Sequence, residues 1–392
     1  VVVNPDAPRI DLHATPVGYQ QLHADRGMEF QCNRLLQWVG ASATEEVRQA
    51  AARIDSFEDW VAVFLDVADK ARAVERRYEA AYYDRAAEFF MPTGDIRRAA
   101  ARARFVTTMR QIYQLNPVQV PFKGAALPTY DVEPNARGDA STRATIVIVG
   151  GFDEYAEEIF PMVAAAADAG YRVVAFDGPG QGGALEDGGL PMTPAWEEPL
   201  AAILDHFGLS DVTLIGISLG GGLVIRAAAF EPRVRRVVSL DVLDDFLECL
   251  GRQAGPGATP VLRLLLACRA RRLVNLIARG AAKRKPLAEW GLRQGMHVTG
   301  TKDAYGFFQT ARLLNTHKIS AQVTADVLLL AGADDHYVPV RQLRRQAQAL
   351  TNARSVTTRM FTSADQAGNH CQIGNLGACI DEILAWIEAP MG

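Results

Sequence analysis

The sequence predicts an α/β fold: a mostly parallel sheet covered by helices on both faces, preceded by a helical segment and interrupted by a helical insertion. Three observations carry that reading. From residue 121 onward, short apolar β-branched runs alternate with segments of helical period, the pattern of repeated β-α units. One such run, Val212 to Ile217, passes into Gly216-Ile217-Ser218-Leu219-Gly220 and then a helix-compatible stretch. Before residue 115, by contrast, no strand-like alternation occurs.

Taken in order, residues 1–115 form the expected helical N-terminal domain. Apolar residues recur at near-helical spacing across 56–90, Ser56 with Asp59 makes a helix start, and a second helix spans 95–114. The Tyr- and Phe-rich stretch 77–90 needs a surface to bury against, either a lid over the strand ends or a dimer face. Residues 116–392 form the expected core. Its strands are predicted at 144–149, 171–176, 212–217, 234–240, 327–331 and 355–361, with helices at 157–169, 195–207, 223–230, 340–350 and 380–387. Between 240 and 327 only helical stretches are expected, at 243–250, 260–282, 287–296 and 304–314, which places a lid insertion at about 243–318.

Composition narrows the function. The chain of 392 residues is 49% hydrophobic and 22% charged, with a net charge of −4, which gives no case for nucleic acid or an anionic membrane as partner. Apolar runs such as 261–268 are broken by arginine and fall short of the ~20 residues a membrane span needs. The start of the chain lacks the features of a signal peptide, and five cysteines at scattered positions form no C-x-x-C pair. A cytoplasmic protein with reduced thiols, acting on a small molecule and needing no metal or cofactor, is the expectation. Arg269, Arg271, Arg272, Arg279 and the run Lys283–Lys285 read as a solvated helix face.

The G-x-S-x-G stretch carries the chemistry. A serine on so tight a strand-to-helix turn needs small residues two before and two after it, and Gly216 and Gly220 supply them. Ser218 is the candidate nucleophile, and the Leu219 N–H is left pointing where an oxyanion forms. A second oxyanion donor is expected after the strand at 144–149, where Gly150-Gly151 precede Phe152. The base and its orienting acid should follow the last two strands. His370 is the histidine in that place. Asp335 is the acid, by the spacing G-x-x-D-x-x-V-P from Gly332 to Pro339, with Asp334 as the alternative.

Several segments together resemble one family. They are Arg77 to Tyr83 with Ala86 to Phe90, Gly150 to Asp153, Phe176-Asp177-Gly178-Pro179-Gly180-Gln181-Gly182, Ser218 to Gly221, Ala227 to Arg233 and Asn369-His370-Cys371-Gln372-Ile373-Gly374-Asn375. The resemblance, over about 30–390, is to the α/β-hydrolases. More narrowly it is to the group of 2,6-dihydroxypseudooxynicotine hydrolase, the fungal polyketide-shortening hydrolases and the FrsA-like proteins.

The resemblance implies hydrolysis of a ketone C–C bond, of retro-Claisen type, in an aromatic or polyketide-like molecule. It also implies an auxiliary acid after the strand that follows the nucleophile helix. Asp241, Asp244, Asp245 and Glu248 stand there, Asp241 nearest the strand end and Glu248 on a lid helix. An esterase or acyl-transferring cyclase is the alternative enzyme, and a non-catalytic ligand receptor the alternative of another class.

Overall fold

Strand residues whose side chains are apolar on both faces must be covered on both sides, and here they are. Ile146, Ile148, Ile215, Ile217, Val238, Leu240, Leu328 and Leu330 point into one core, while Val147, Val149, Leu214, Val237, Val327 and Leu329 point into a second. The computed structural model describes residues 1–11, 15–135 and 144–389; His13 lies outside them.

The chain opens with helices α1 (Arg26–Val39), α2 (Thr44–Ala51), α3 (Phe57–Ala73), α4 (Arg77–Phe90) and α5 (Arg98–Tyr113). A hairpin of β1 (Val118–Phe122) and β2 (Ala125–Val132) follows, then β3 (Ile146–Val149), α6 (Phe160–Asp168), β4 (Val173–Phe176), α7 (Gly182–Glu186) and α8 (Glu197–Phe207). Next come β5 (Val212–Ile217), α9 (Leu219–Phe230) and β6 (Val234–Leu240). Five helices intervene: α10 (Phe246–Ala254), α11 (Ala258–Ala267), α12 (Arg271–Ala282), α13 (Pro286–Thr299) and α14 (Ala304–Leu313). The chain closes with β7 (Asp326–Gly332), α15 (Arg341–Ala349), β8 (Ser355–Phe361) and α16 (Leu376–Glu388).

The sheet order is β1-β2-β4-β3-β5-β6-β7-β8, and β2 alone runs against the others. The strand order reverses between β3 and β5, so the loops after those strands diverge and leave a crevice at their carboxyl ends. The G-x-S-x-G turn and Gly150–Phe152 both lie there.

Three sequence expectations need correction. The 56–90 stretch is two helices, broken where Glu75 takes φ 60°, and 260–282 is likewise two, broken where Arg269 takes φ 54°. The β1–β2 hairpin was not expected. Pro121 is tolerated because β1 is an edge strand, and Lys123 and Gly124, both at positive φ, make its turn.

The N-terminal helices share their core with the sheet. Tyr82, Tyr83, Phe90 and Phe105 are fully buried in the same cluster as Ile148 and Ile217, each such aromatic contributing about 1.5–3 kcal/mol. Polar contacts fix the docking: the Tyr82 hydroxyl donates to the Glu158 carbonyl at 2.8 Å, and the Arg85 Nε donates to the Glu158 carboxylate at 3.0 Å. On the insertion side, Trp290 of α13 stacks on Phe89 with centroids 4.8 Å apart, and its indole N–H donates to the Phe89 carbonyl at 2.9 Å.

Candidate active site

The six residues of β5 are all buried, and the strand ends in Ser218 at φ 55°, ψ −117°. A residue other than glycine rarely adopts that backbone, and the surroundings must enforce it. They do so through glycines. A Cβ on Gly216 would stand 2.1 Å from the Gly220 carbonyl oxygen, and one on Gly220 would stand 2.5 Å from that of Gly150. Gly221 and Gly222 allow the loop after β6 to approach in the same way, at 2.1 Å from the Asp241 carbonyl and 2.2 Å from that of Leu243. Every side chain there would clash with backbone.

His370, buried on a turn after β8, reaches Ser218: Oγ and Nε2 are 2.8 Å apart. On the other side of the ring, Nδ1 is 2.7 Å from Asp335 Oδ2. A carboxylate at Nδ1 fixes the proton there, so Nε2 accepts from the serine hydroxyl. Asp335, in the loop after β7, also accepts the N–H groups of Tyr337 at 2.7 Å and Val338 at 2.9 Å. Burial acts to raise its carboxyl, but His370 and these donors hold it below the usual range. Asp334 is exposed, and its backbone N–H donates to the Gly368 carbonyl at 2.7 Å.

A second carboxylate also faces Nδ1. Asp241 Oδ2 lies 3.2 Å from it, while also accepting the Cys371 N–H at 2.6 Å; Oδ1 accepts from Gln372 Nε2 at 2.7 Å. Burial pushes the Asp241 carboxyl up, against the pull of His370. For His370 itself burial opposes the charged ring, but Asp335 and the hydrogen bonds to both carboxylates outweigh it, and the imidazole sits well above its usual range. Asp241 therefore stands behind the histidine, on the far side of the ring from Ser218.

The other loop acids are committed elsewhere. Asp244 pairs with Arg345. Asp245 caps α10 through the Glu248 N–H at 3.1 Å and pairs with Arg263. Glu248 is held by Arg341, Arg345 and Gln342.

The Gly151 Cα lies close over the serine; a Cβ there would stand 3.0 Å from Ser218 Cβ. Gln181, from the D-G-P-G-Q-G segment, clamps this loop. Its Nε2 donates to the carbonyls of Gly150 at 2.6 Å and Gly151 at 2.9 Å, while its Oε1 accepts the Gly178 N–H at 3.1 Å. With the Gly151 carbonyl turned toward Gln181, the trans peptide turns the Phe152 N–H the other way. Among the described residues neither the Phe152 nor the Leu219 N–H donates to a protein acceptor.

Sequence reasoning missed two groups here. Gln181 is visible in the sequence only as one position of the segment from Phe176 to Gly182. Glu154, four residues past Gly150, accepts the Gly151 N–H at 2.6 Å; burial pushes its carboxyl up to about 7, with Arg34 opposing and Glu158 adding. Behind the loop a small recess, lined by Phe152, Glu154, Gln181, Arg98 and Trp290 among others, touches neither Ser218 nor His370.

The helices outside the sheet wall the site. Phe30 of α1 has its ring 6.1 Å from that of His370 and 5.3 Å from that of Tyr337, and Phe246 of α10 lies 5.2 Å from Phe152. His336 is buried beside Phe30, where burial first and the His370 charge second bring its pKa down to about 3, so it stays neutral. Donor atoms of Asp241, His370 and Cys371 lie within 4.8 Å of one another, a spacing able to hold a metal ion, although both His370 nitrogens are engaged by Ser218 and Asp335. Burial pushes the Cys371 thiol up to about 11, so it is not a thiolate at neutral pH.

Residues 144–255 match the family described as the alpha/beta hydrolase fold. The solved structure of 2,6-dihydroxy-pseudo-oxynicotine hydrolase superposes with a TM-score of 0.61 at 20% identity, covering 91% of this chain and 94% of that one. The chain has the α/β-hydrolase fold. Among curated proteins, the alpha/beta hydrolase psoB of Aspergillus fumigatus is 28% identical over 419 aligned residues, 93% of each chain. The 20-hydroxy-prefusarin hydrolase FUS2 of Gibberella moniliformis is 30% identical, over 56% of this chain and 61% of its own. Among the described residues, no helix is long and apolar enough to cross a membrane.

Proposed function

We propose that this chain is a serine hydrolase cleaving a ketone C–C bond, by a retro-Claisen route, in an aromatic or polyketide-like small molecule. The observation that carries the reading is the continuous line from Ser218 Oγ through His370 to Asp335, at 2.8 and 2.7 Å. In this scheme Oγ attacks the ketone carbon and its proton passes to His370 Nε2. The oxyanion takes the N–H groups of Phe152 and Leu219. As the carbonyl re-forms, the C–C bond breaks and its electron pair leaves on carbon, delocalised as an enolate or phenolate. The His370 imidazolium returns its proton to that carbon. Water, activated by His370, then hydrolyses the acyl-serine.

Carbon is a slower proton acceptor than an alkoxide, so a long-lived imidazolium suits this reaction. The two carboxylates at Nδ1 supply that stability. Relatives named for action on 20-hydroxy-prefusarin and 2,6-dihydroxy-pseudo-oxynicotine support a multi-oxygenated organic substrate.

One observation favours the esterase or acyl-transferring cyclase reading. Asp244, Asp245 and Glu248 are held by arginines, which leaves none of these three acids free to handle a substrate proton. A panel of 1,3-diketones and matched acyl esters decides between the two. The proposal expects diketone cleavage with a kcat/KM at least comparable to that for esters. Ester turnover with every diketone inert would install the second reading.

A further inference from the structure

The α11–α12 hairpin of the insertion turns an apolar face to water. Both helices pack on α14, and their buried residues are Leu266, Val274 and Ala278, so their opposite faces point outward. On those faces Val261 is 55% exposed, Leu264 62%, Leu273 45%, Leu276 62% and Ile277 52%. Set out at ~100° per residue, the apolar arc of α12 runs from Leu276 through Leu273, Ile277 and Val274 to Ala278. Only its last two members are buried. An arc that broad on a surface helix exceeds what its packing uses, and contiguous exposed apolar surface marks an interaction site.

Charge says what kind of site. Between Glu248 and Glu289 the chain carries nine Lys and Arg and no Asp or Glu, an imbalance hidden by its overall net charge of −4. Arg263 and Arg271 are spent on Asp245 and Asp303. Arg269, Arg272, Arg279, Lys283, Arg284 and Lys285 are exposed and form no ion pair among the described residues. Apolar residues facing out with cations beside them are how a helix lies in the plane of an anionic bilayer surface. A second copy of the chain fits poorly, because a symmetric contact through this face would set these cations against themselves.

We propose that the α11–α12 hairpin docks this protein on an anionic lipid surface, with Leu273, Leu276 and Ile277 entering the headgroup boundary and the surrounding cations meeting lipid phosphates and carboxylates. The contact is peripheral, in the membrane plane, and independent of whatever Ser218 does.

The test uses the full chain and extruded vesicles, read by co-sedimentation. Wild type should partition to vesicles of phosphatidylcholine mixed with phosphatidylserine, little to phosphatidylcholine alone, and less as salt rises. Lys283→Gln with Arg284→Gln should weaken partition about 25-fold, taking about fivefold for each lost cation. Leu276→Asp should abolish it while leaving the thermal midpoint unchanged, since the side chain is mostly in solvent. Absent or lipid-independent binding of the wild type overturns the proposal. So does a dimer in sedimentation velocity that Leu276→Asp dissociates, because a second copy would then be what covers the face.

Discussion

Ser218 presents its half-buried hydroxyl to His370 from a backbone at φ 55°, and only the glycines around it make that conformation tolerable. If it is the nucleophile, Ser218→Ala should lower turnover by at least about 10³-fold, and a fluorophosphonate should label this serine and no other. Asp335 is a subtler case. Making the orienting aspartate of such a relay neutral ordinarily costs about 10⁴ in turnover. Here Asp241 stands 3.2 Å from the same ring nitrogen as a spare acceptor. Asp335→Asn alone should therefore lose less, on the order of 10²–10³, and Asp335→Asn with Asp241→Asn the full loss. Asp334→Asn should change little. Single and double variants measured on one substrate decide this, and additive losses would show the two carboxylates acting independently.

The same pair of anions sets a pH dependence. The proposed reaction needs neutral His370, so activity should rise with pH through the ring's pKa. Burial pulls that value down, but Asp335 and Asp241 outweigh it, and the acid limb of kcat/KM should lie above the ordinary imidazole range. Asp241→Asn removes a charge that favours imidazolium, so the limb should move to lower pH. An unmoved limb would mean Asp241 only holds the Cys371–Gln372 turn. Residues at this scale were partly legible in sequence. Ser218, His370 and Asp335 follow from position after a strand, whereas the orientation of Asp241 depends on a loop path that no local pattern encodes.

At the scale of elements, the turn after β4 acts on the turn after β3. Gln181→Ala would free the Gly151–Phe152 peptide to rotate. Losing an oxyanion donor outright costs about 10²–10³ in kcat, so losing its orientation should cost roughly tenfold or more with KM little changed. Steady-state kinetics beside a melting curve separates this from a folding defect. The central strands were legible because burial on both faces makes them unbroken β-branched runs. The β1–β2 hairpin was not, since Pro121 interrupts the apolar run and only Val120 and Phe122 of the first strand are buried. Nor were the breaks at Glu75 and Arg269, where an ordinary side chain takes a positive φ and leaves no glycine to mark it.

Over the whole molecule, the helices before residue 116 are half of one core. A chain beginning at Asn116 would strip Arg110 from Tyr130 and Glu157, Tyr82 from Glu158 and Phe30 from beside His370. It should be recovered insoluble or inactive, and full turnover by a soluble truncation would contradict the shared core. Sequence predicted the helical character of this region and its need for a surface. What it could not give was the surface itself, which is assembled from α4, the loop after β3 and α13, segments up to about 200 residues apart.

Phe30, Phe246 and Trp290 belong to helices that carry none of the proposed reacting groups, all of which hang from strand-end loops. In the proposed function, the reacting groups and the aromatic side chains packed around their loops are thus written in different stretches of chain, free to drift at different rates. Substitutions in the outward positions of the first helix or the insertion would then reshape the surroundings of those loops while leaving Ser218, His370 and Asp335 on the strands that hold them.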